Sequence, residues 1–549
     1  MSRLALLVTL CYVVAVAPAS AARVGVGVLP GWSAKRLAQR IEKATGAHPR
    51  MLIPGAALAV DVPHPHVLHG IRGVAYVESL ALRRRLQFTT NDPLAARQWY
   101  LQSDHAFDFW PELPQLTPVK VAIVDSGIDG GHPDLQGRVA AAKSFVGGSP
   151  LVDTDGHGTF VAGEIAATPN NGIGIAGIAF PAQLVIAKVV GANDELPLQA
   201  EIAGIKWAVA QGARVINLSL GGVRDPLDPQ IDTYSPLEQA AIDYAVRKGV
   251  VVVAAVGNGP QSPKTPWPYA HYPAALPHVI GVSAVTESGS VPAFSNRDAV
   301  YNDIAAPGDA ILSTVPRAQT QQRPTCPDQG YSSCGTPEFQ DAIGTSFSAP
   351  QVAAAAALVL AVRPDLRPEQ VANLLERTAD DANATTGCKQ CPNGRDQFTG
   401  WGTLDIENAM QVLSAGGPFA PPDAYETNDD AGAWAYPMWG PKGRTIDATV
   451  DFWDDQVDVY SIVLRKGQRL YAHLGGRPAK AELDLWKPGT RHVVGIGASP
   501  RQRAAAGRRV GRQWRLAYTA PAGGTYFLEV KLVEPQQEPW AYRLSFTKR

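Results

Sequence analysis

Val119-Lys120-Val121-Ala122-Ile123-Val124-Asp125-Ser126-Gly127 is the stretch that decides the fold. A β-branched apolar run ends in an acid, a serine and a glycine, which reads as a strand delivering a carboxylate at its carboxyl end. The pattern then repeats with helices in between. A helix is predicted from near His157, a strand over Gln183 to Val190, a helix over Gln199 to Gln211, a strand over Val215 to Leu220, and a helix over Pro236 to Arg247. Strands over Val250 to Val256 and Val279 to Val285 follow, and helices starting near Ser346 and Pro368 close the series. This alternation implies an α/β fold of three layers, a parallel sheet with helices on both faces, in which ligands bind at the carboxyl ends of the strands.

Four polar groups fall at that edge. Asp125 closes the first strand, and His157 lies in Asp153-Thr154-Asp155-Gly156-His157-Gly158-Thr159 at the start of a helix. Asn258 follows the strand Val250 to Val256 in Gly257-Asn258-Gly259, and Ser346 lies in Gly344-Thr345-Ser346-Phe347-Ser348-Ala349-Pro350 ahead of an alanine-rich helix. Singly, each has a structural explanation: a capping Asp, a structural His, a turn Asn, an exposed turn Ser. Together on one edge they supply what a serine nucleophile lacks alone, namely a base, an orienter for that base and an oxyanion donor.

At 549 residues the chain exceeds one ordinary domain, and a 45% hydrophobic share is enough for real cores. Its 49 basic and 50 acidic residues give no reason to expect a nucleic-acid partner. Arg501, Arg503, Arg508, Arg509, Arg512 and Arg515 form the one basic cluster, read as a solvated loop. Residues 1–22 read as a signal peptide: Arg3, an apolar run from Leu4 to Val16, then small residues to Ala22. A secreted or extracytoplasmic location is therefore expected. No later stretch has the apolar length of a membrane span, so no stable membrane insertion is expected after signal removal, and Val352 to Val362 reads as a buried helix. Beyond the signal, Cys326, Cys334, Cys388 and Cys391 remain. Proximity favours disulfides 326–334 and 388–391, and an oxidising compartment makes zinc the weaker reading.

Texture shifts mark further units. Residues 23–88 alternate short strands with an amphipathic helix over Ala34 to Ala44, a small α+β body ending in Arg83-Arg84-Arg85. After the proline-rich linker at Pro418, Pro421 and Pro422, residues 416–549 alternate without a convincing helix and read as a β-sandwich. Residues 89–415 hold the α/β domain. The acidic group Asp451, Asp454, Asp455 and Asp458 could hold structural calcium or simply solvate a turn. Gly172-Ile173-Gly174-Ile175-Ala176-Gly177 spells a dinucleotide fingerprint, but it follows a helix and opens none, so it reads as a tight turn.

Four motifs, Val121-Ala122-Ile123-Val124-Asp125-Ser126-Gly127-Ile128-Asp129, Asp155-Gly156-His157-Gly158-Thr159, Ala255-Val256-Gly257-Asn258 and Gly344-Thr345-Ser346, resemble those of the subtilisin family of serine endopeptidases, the subtilases. The resemblance runs from about Asn91 to Ser414. It implies that Ser346 is the nucleophile, His157 its base, Asp125 the orienter and Asn258 the oxyanion donor, in an enzyme cutting polypeptides through an acyl-enzyme with no cofactor needed for the chemistry. It also implies that Ser219, Leu220 and Gly221 on one side and Ala255, Val256 and Gly257 on the other flank the substrate. The 23–88 unit resembles a subtilase propeptide, an inhibitory partner to be removed between Glu78 and Thr90. The C-terminal unit resembles the bacterial pre-peptidase C-terminal domain, through Tyr425-Glu426-Thr427-Asn428-Asp429, Asp458-Val459-Tyr460 and Gly524-Thr525-Tyr526-Phe527-Leu528. A monomer is expected. The sequence departs from common subtilase forms at Ser126, Phe347 and Gln351, where Thr, Met and His are frequent. The rival readings are a catalytically silent subtilase fold used for binding or adhesion, and an acyl hydrolase, whose Gly-x-Ser-x-Gly elbow would need a glycine where Ser348 stands.

Overall fold

The computed structural model describes residues 22–62, 65–80, 88–191, 193–317, 332–333, 338–417, 419, 423–440, 442–451, 456–476, 481–494, 498–533 and 540–549. Most of the expected signal, the 81–87 segment, Cys326, Cys334, Asp454 and Asp455 lie outside them. The chain divides into two compact units between Leu86 and Gln87.

The first unit holds β1 (Ala22–Val28), α1 (Ala34–Thr45), β2 (Arg50–Ile53), β3 (Ala57–Val62) and β4 (Val74–Ser79). The strands form one antiparallel sheet in the order β2-β3-β1-β4. Strand alternation sends Val24, Val26, Leu58 and Val60 to one face, where Leu37 and Ile41, one helical turn apart on α1, cover them. Gly46 ends α1 in the left-handed region (φ 72°), returning its N–H to the Glu42 carbonyl.

The second unit is organised by seven parallel strands: β5 (Val119–Asp125), β6 (Val139–Ser144), β7 (Ala182–Lys188), β8 (Val215–Leu218), β9 (Val251–Ala255), β10 (Val279–Val285) and β11 (Ile304–Pro307). Their order is β11-β10-β9-β8-β5-β7-β6. The helices are α2 (Trp99–Ser103), α3 (His157–Ala166), α4 (Leu198–Ala210), α5 (Pro236–Val246), α6 (Ala349–Val362), α7 (Pro368–Thr378) and α8 (Ile406–Ser414). Alternation along β5 splits its side chains between two cores. Val121 and Ile123 join the core shared with α3, α6 and α7, whereas Ala122 and Val124 join the one shared with α4 and α5. Truncating a fully buried member such as Ile123 to Ala costs about 2–5 kcal/mol.

The long apolar stretch Thr345–Val362 is buried, as expected for Val352 to Val362: it is a core helix whose alanines let it lie against the sheet. Strands β6 and β11 were not expected. The first reads Val-Ala-Ala-Ala-Lys-Ser, without a β-branched run, and the second is four residues long. Ser346 sits in a 3₁₀ turn, Thr345–Phe347, just ahead of α6.

From Tyr436 the chain forms two five-stranded sheets, with Val457–Leu464 and Gly524–Leu532 central to one and Trp540–Lys548 and Arg469–Gly475 central to the other. Their inward residues, among them Tyr460, Leu528, Leu474 and Phe546, share one core, so this part is a β-sandwich. The arginine cluster does not sit on a loop: Arg503, Arg508, Arg509 and Arg515 lie on strands 503–506, 508–510 and 513–519, with their side chains outward. Asp458 is buried and accepts from the Tyr542 and Tyr460 hydroxyls, so it belongs to the sandwich interior rather than to a solvated turn. Cys388 and Cys391 are disulfide-bonded, as expected for that pair. Gly174 is left-handed (φ 45°), and a β-carbon at Gly177 would lie 2.4 Å from the Ala167 nitrogen, so the glycine-rich stretch is a close-packed turn.

Candidate active site

Strand β5, inside the sheet between β8 and β7, ends in Asp125, which is 2% exposed at the carboxyl edge of the sheet. Both its oxygens receive His157 Nδ1, at 3.0 and 2.9 Å. A nitrogen that donates to a carboxylate carries the proton, so the neutral ring keeps its lone pair on Nε2. Burial alone would lower the His157 pKa. The charge and hydrogen bond of Asp125, with Asp155 and Asp153 behind, outweigh this and raise it from 6.5 to about 9.

The start of α3 is clamped by Asp153. Its Oδ1 accepts from the Gly156 N–H (2.9 Å) and the Ser126 hydroxyl (3.0 Å), and its Oδ2 from the Thr159 N–H (2.9 Å) and hydroxyl (2.6 Å). Ser126 Oγ in turn accepts the Gly158 N–H at 2.9 Å. Gly158 has to be glycine, because a β-carbon would lie 2.2 Å from the Gly127 carbonyl oxygen and 3.2 Å from Asp125 Oδ1. Lys188, buried at the end of β7, donates to the carbonyls of Ser126 and Val152 and so ties β5 to the loop before His157. Sequence reasoning assigned no role to Asp153 or Lys188. A lysine closing an otherwise apolar strand was the available signal.

The turn that carries Ser346 adjoins His157 through Phe347, on the face of the sheet that α3 and α6 share. The Ser219 hydroxyl, just beyond β8, donates to the Ser346 carbonyl at 2.7 Å and accepts from Asn217 Nδ2 at 2.9 Å. Phe347 is 2% exposed, with its ring centroid 4.4 Å from that of Phe160 and 5.5 Å from the His157 imidazole. It therefore packs beneath the imidazole instead of crowding the mouth of the site. The Ser346 hydroxyl donates to the Ser219 carbonyl at 3.3 Å, and no hydrogen bond joins it to His157.

Asn258 follows β9 and a left-handed Gly257 (φ 94°). Thr345 donates to its Oδ1 from both N–H (3.0 Å) and hydroxyl (3.1 Å), which fixes the amide so that Nδ2 is the outward donor. Gln261 Oε1 accepts from that Nδ2 at 3.3 Å.

The expected substrate walls are also at this edge. Ser219, Leu220 and Gly221 extend β8, and a β-carbon at Gly221 would lie 1.9 Å from the Tyr272 carbonyl oxygen. Ala255 ends β9, and Val256 and Gly257 continue beyond it. Val256 is fully buried in the core shared with α4 and α5, its N–H donating to the Val282 carbonyl (3.0 Å) and its carbonyl accepting from the His271 N–H (2.8 Å), so it supports the wall from behind instead of facing a ligand.

Residues 117–402, more than half of the 549, match the Subtilase family. The chain belongs to the subtilase family. This subtilase is 39% identical to Subtilisin E of Bacillus subtilis (strain 168) over 263 residues, 48% of this chain and 60% of that protein. It is 34% identical to Thermitase of Thermoactinomyces vulgaris over 301 residues, 54% of this chain and 94% of that one. Fervidolysin of Fervidobacterium pennivorans is 34% identical over 366 residues, covering 60% of this subtilase and 48% of the relative. The chain thus spans three-fifths of Subtilisin E and nearly all of Thermitase.

Proposed function

We propose that this subtilase is a secreted serine endopeptidase made as a self-inhibited zymogen. The observation that carries the reading is the His157–Asp125 pair, with Ser346 held beside it on the turn whose Phe347 packs under the imidazole. In this reading Ser346 Oγ attacks the peptide carbonyl carbon while His157 Nε2 takes its proton. The oxyanion is met by Asn258 Nδ2 and the Ser346 N–H. Collapse breaks the C–N bond, with His157 returning the proton to the leaving amine. Water, giving a proton to His157 Nε2, then attacks the ester carbonyl, and as the acyl C–O bond breaks His157 returns that proton to Ser346 Oγ, freeing the serine and the acid product.

The strand extensions beyond β8 and β9 would hold an extended polypeptide by main-chain pairing. The α+β unit of residues 23–88 is the proposed inhibitor, the 416–549 sandwich an accessory domain, and the mature enzyme a monomer. Structural calcium would assist stability rather than chemistry. Hydrolysis of casein by the processed protein tests the activity: release of new amino termini by the wild type and none by Ser346→Ala is expected. Equal activity in the two, or none in either, would refute it.

A further inference from the structure

Behind the nucleophile turn, Glu164 of α3 meets Gln351 of α6, both fully buried. Gln351 Nε2 donates to the carbonyls of Phe347 (2.7 Å) and Pro307 (2.9 Å) and to Glu164 Oε2 (3.1 Å). The other two oxygens of the pair, Glu164 Oε1 and Gln351 Oε1, have no hydrogen-bond partner among the described residues. A buried polar oxygen left unpaired is costly, and here two are orphaned on the same contact.

An ionised Glu164 has little to hold it in this position. No cation among the described residues pairs with it, and it competes with two carbonyls for the two hydrogens of one amide NH2. The titratable groups that act on it are Asp104, itself buried with both carboxylate oxygens unpartnered, and the Tyr100 phenol. Neither brings positive charge. Burial first, then the like charge of Asp104, push the Glu164 carboxyl well above its usual range. A neutral carboxyl owns a donor that needs an acceptor, and Gln351 Oε1 is an acceptor that lacks a donor.

We propose that Glu164 carries its proton on Oε1 and donates it to Gln351 Oε1, closing a reciprocal acid–amide pair with the Nε2 to Oε2 bond. The pair locks the Gln351 amide so that its N–H holds the Phe347 carbonyl, and through it the turn that presents Ser346. Glu164 and Gln351 are positioning residues in this assignment, which rests on reading Ser346 as the nucleophile. An amide at 164 would preserve the reciprocity, since it has a donor and an acceptor in the same places, whereas a methyl group would leave the Gln351 amide held by the Phe347 and Pro307 carbonyls alone, with its Oε1 unpaired.

Two measurements on the full processed chain test it. Difference infrared spectroscopy of the resting wild type against Glu164→Gln should show the carbonyl stretch of a protonated carboxyl in the wild type alone. The rate at which a fluorophosphonate labels Ser346 should fall about tenfold or more in Glu164→Ala, with peptide KM little changed, as for a nucleophile displaced by a fraction of an ångström. Glu164→Gln should recover most of that rate. Absence of the infrared band, a Glu164→Ala rate equal to wild type, or a Glu164→Gln rate as low as that of Glu164→Ala would overturn the proposal. If Glu164→Ala does not fold, the infrared band of the wild type decides alone. If the band is present but the wild type is never labelled, the nucleophile reading fails while the pair stands.

Discussion

Thr345 gives both its N–H and its hydroxyl to Asn258 Oδ1, across 87 residues of sequence. The amide is thereby oriented with Nδ2 as its donor end, and the bond to Gln261 Oε1 uses one of the two N–H groups there and leaves the other for the proposed oxyanion. Asn258→Ala should lower kcat by about 10²–10³ with KM little changed, a figure carried over from subtilisin itself rather than obtained from this geometry. Thr345→Val keeps the N–H bond and loses the hydroxyl bond, and a smaller drop, about three- to tenfold in kcat, is expected from one lost hydrogen bond of roughly 1 kcal/mol. Steady-state kinetics on one peptide would separate the two.

In the proposed mechanism activity should rise with pH through the ionisation of His157, because only the neutral ring could accept the Ser346 proton. The His157 pKa is raised above 6.5, toward about 9, so the acid limb of kcat/KM should lie on the alkaline side of an ordinary histidine. Asp125→Asn should move that limb down and cut kcat by about 10⁴, as the wrong tautomer is favoured. Linkage runs the other way for stability. A folded-state pKa above the unfolded one contributes stability that is full below about 6.5 and lost as pH rises through about 9. A pH–rate profile beside a pH–melting profile would show the two slopes opposed.

Gly158→Ala should abolish activity and destabilise the protein by about 1–3 kcal/mol through overpacking against the Gly127 carbonyl and Asp125. Thermal melting and casein hydrolysis would report the two losses together. A fully active Gly158→Ala would mean that the turn can shift without disturbing His157.

Maturation offers a separate check. If the N-terminal unit is removed by the enzyme's own chemistry, Ser346→Ala should accumulate as uncut precursor, visible by intact mass, and added active enzyme should trim it. Normal processing of the variant made alone would assign the cut to another protease.

The parts of this molecule legible in its sequence are those where side-chain chemistry and local period agree. β5 reads as a strand because its apolar run is β-branched, and Asp125, His157, Asn258 and Ser346 stand at element ends that glycine and polar residues announce. β6 escaped notice because alanines and a lysine carry no strand preference and its stability comes from pairing with β7. The arginine strands near the C-terminus hid in the same way: outward arginines next to Gly507 and Gly511 resemble a loop until their backbone pairings are seen. Asp153, Gln261 and the Glu164–Gln351 contact were illegible for a different reason. Their partners lie far along the chain or across a turn, and only the tertiary fold defines them.

The central claim, that Asp125, His157 and Ser346 act as one nucleophilic unit, is tested most directly by mass spectrometry of the processed protein after fluorophosphonate treatment. One adduct per chain is predicted, on Ser346, absent from Ser346→Ala and strongly slowed in His157→Ala. An adduct on another residue, undiminished labelling of either variant, or an unlabelled wild type would contradict it.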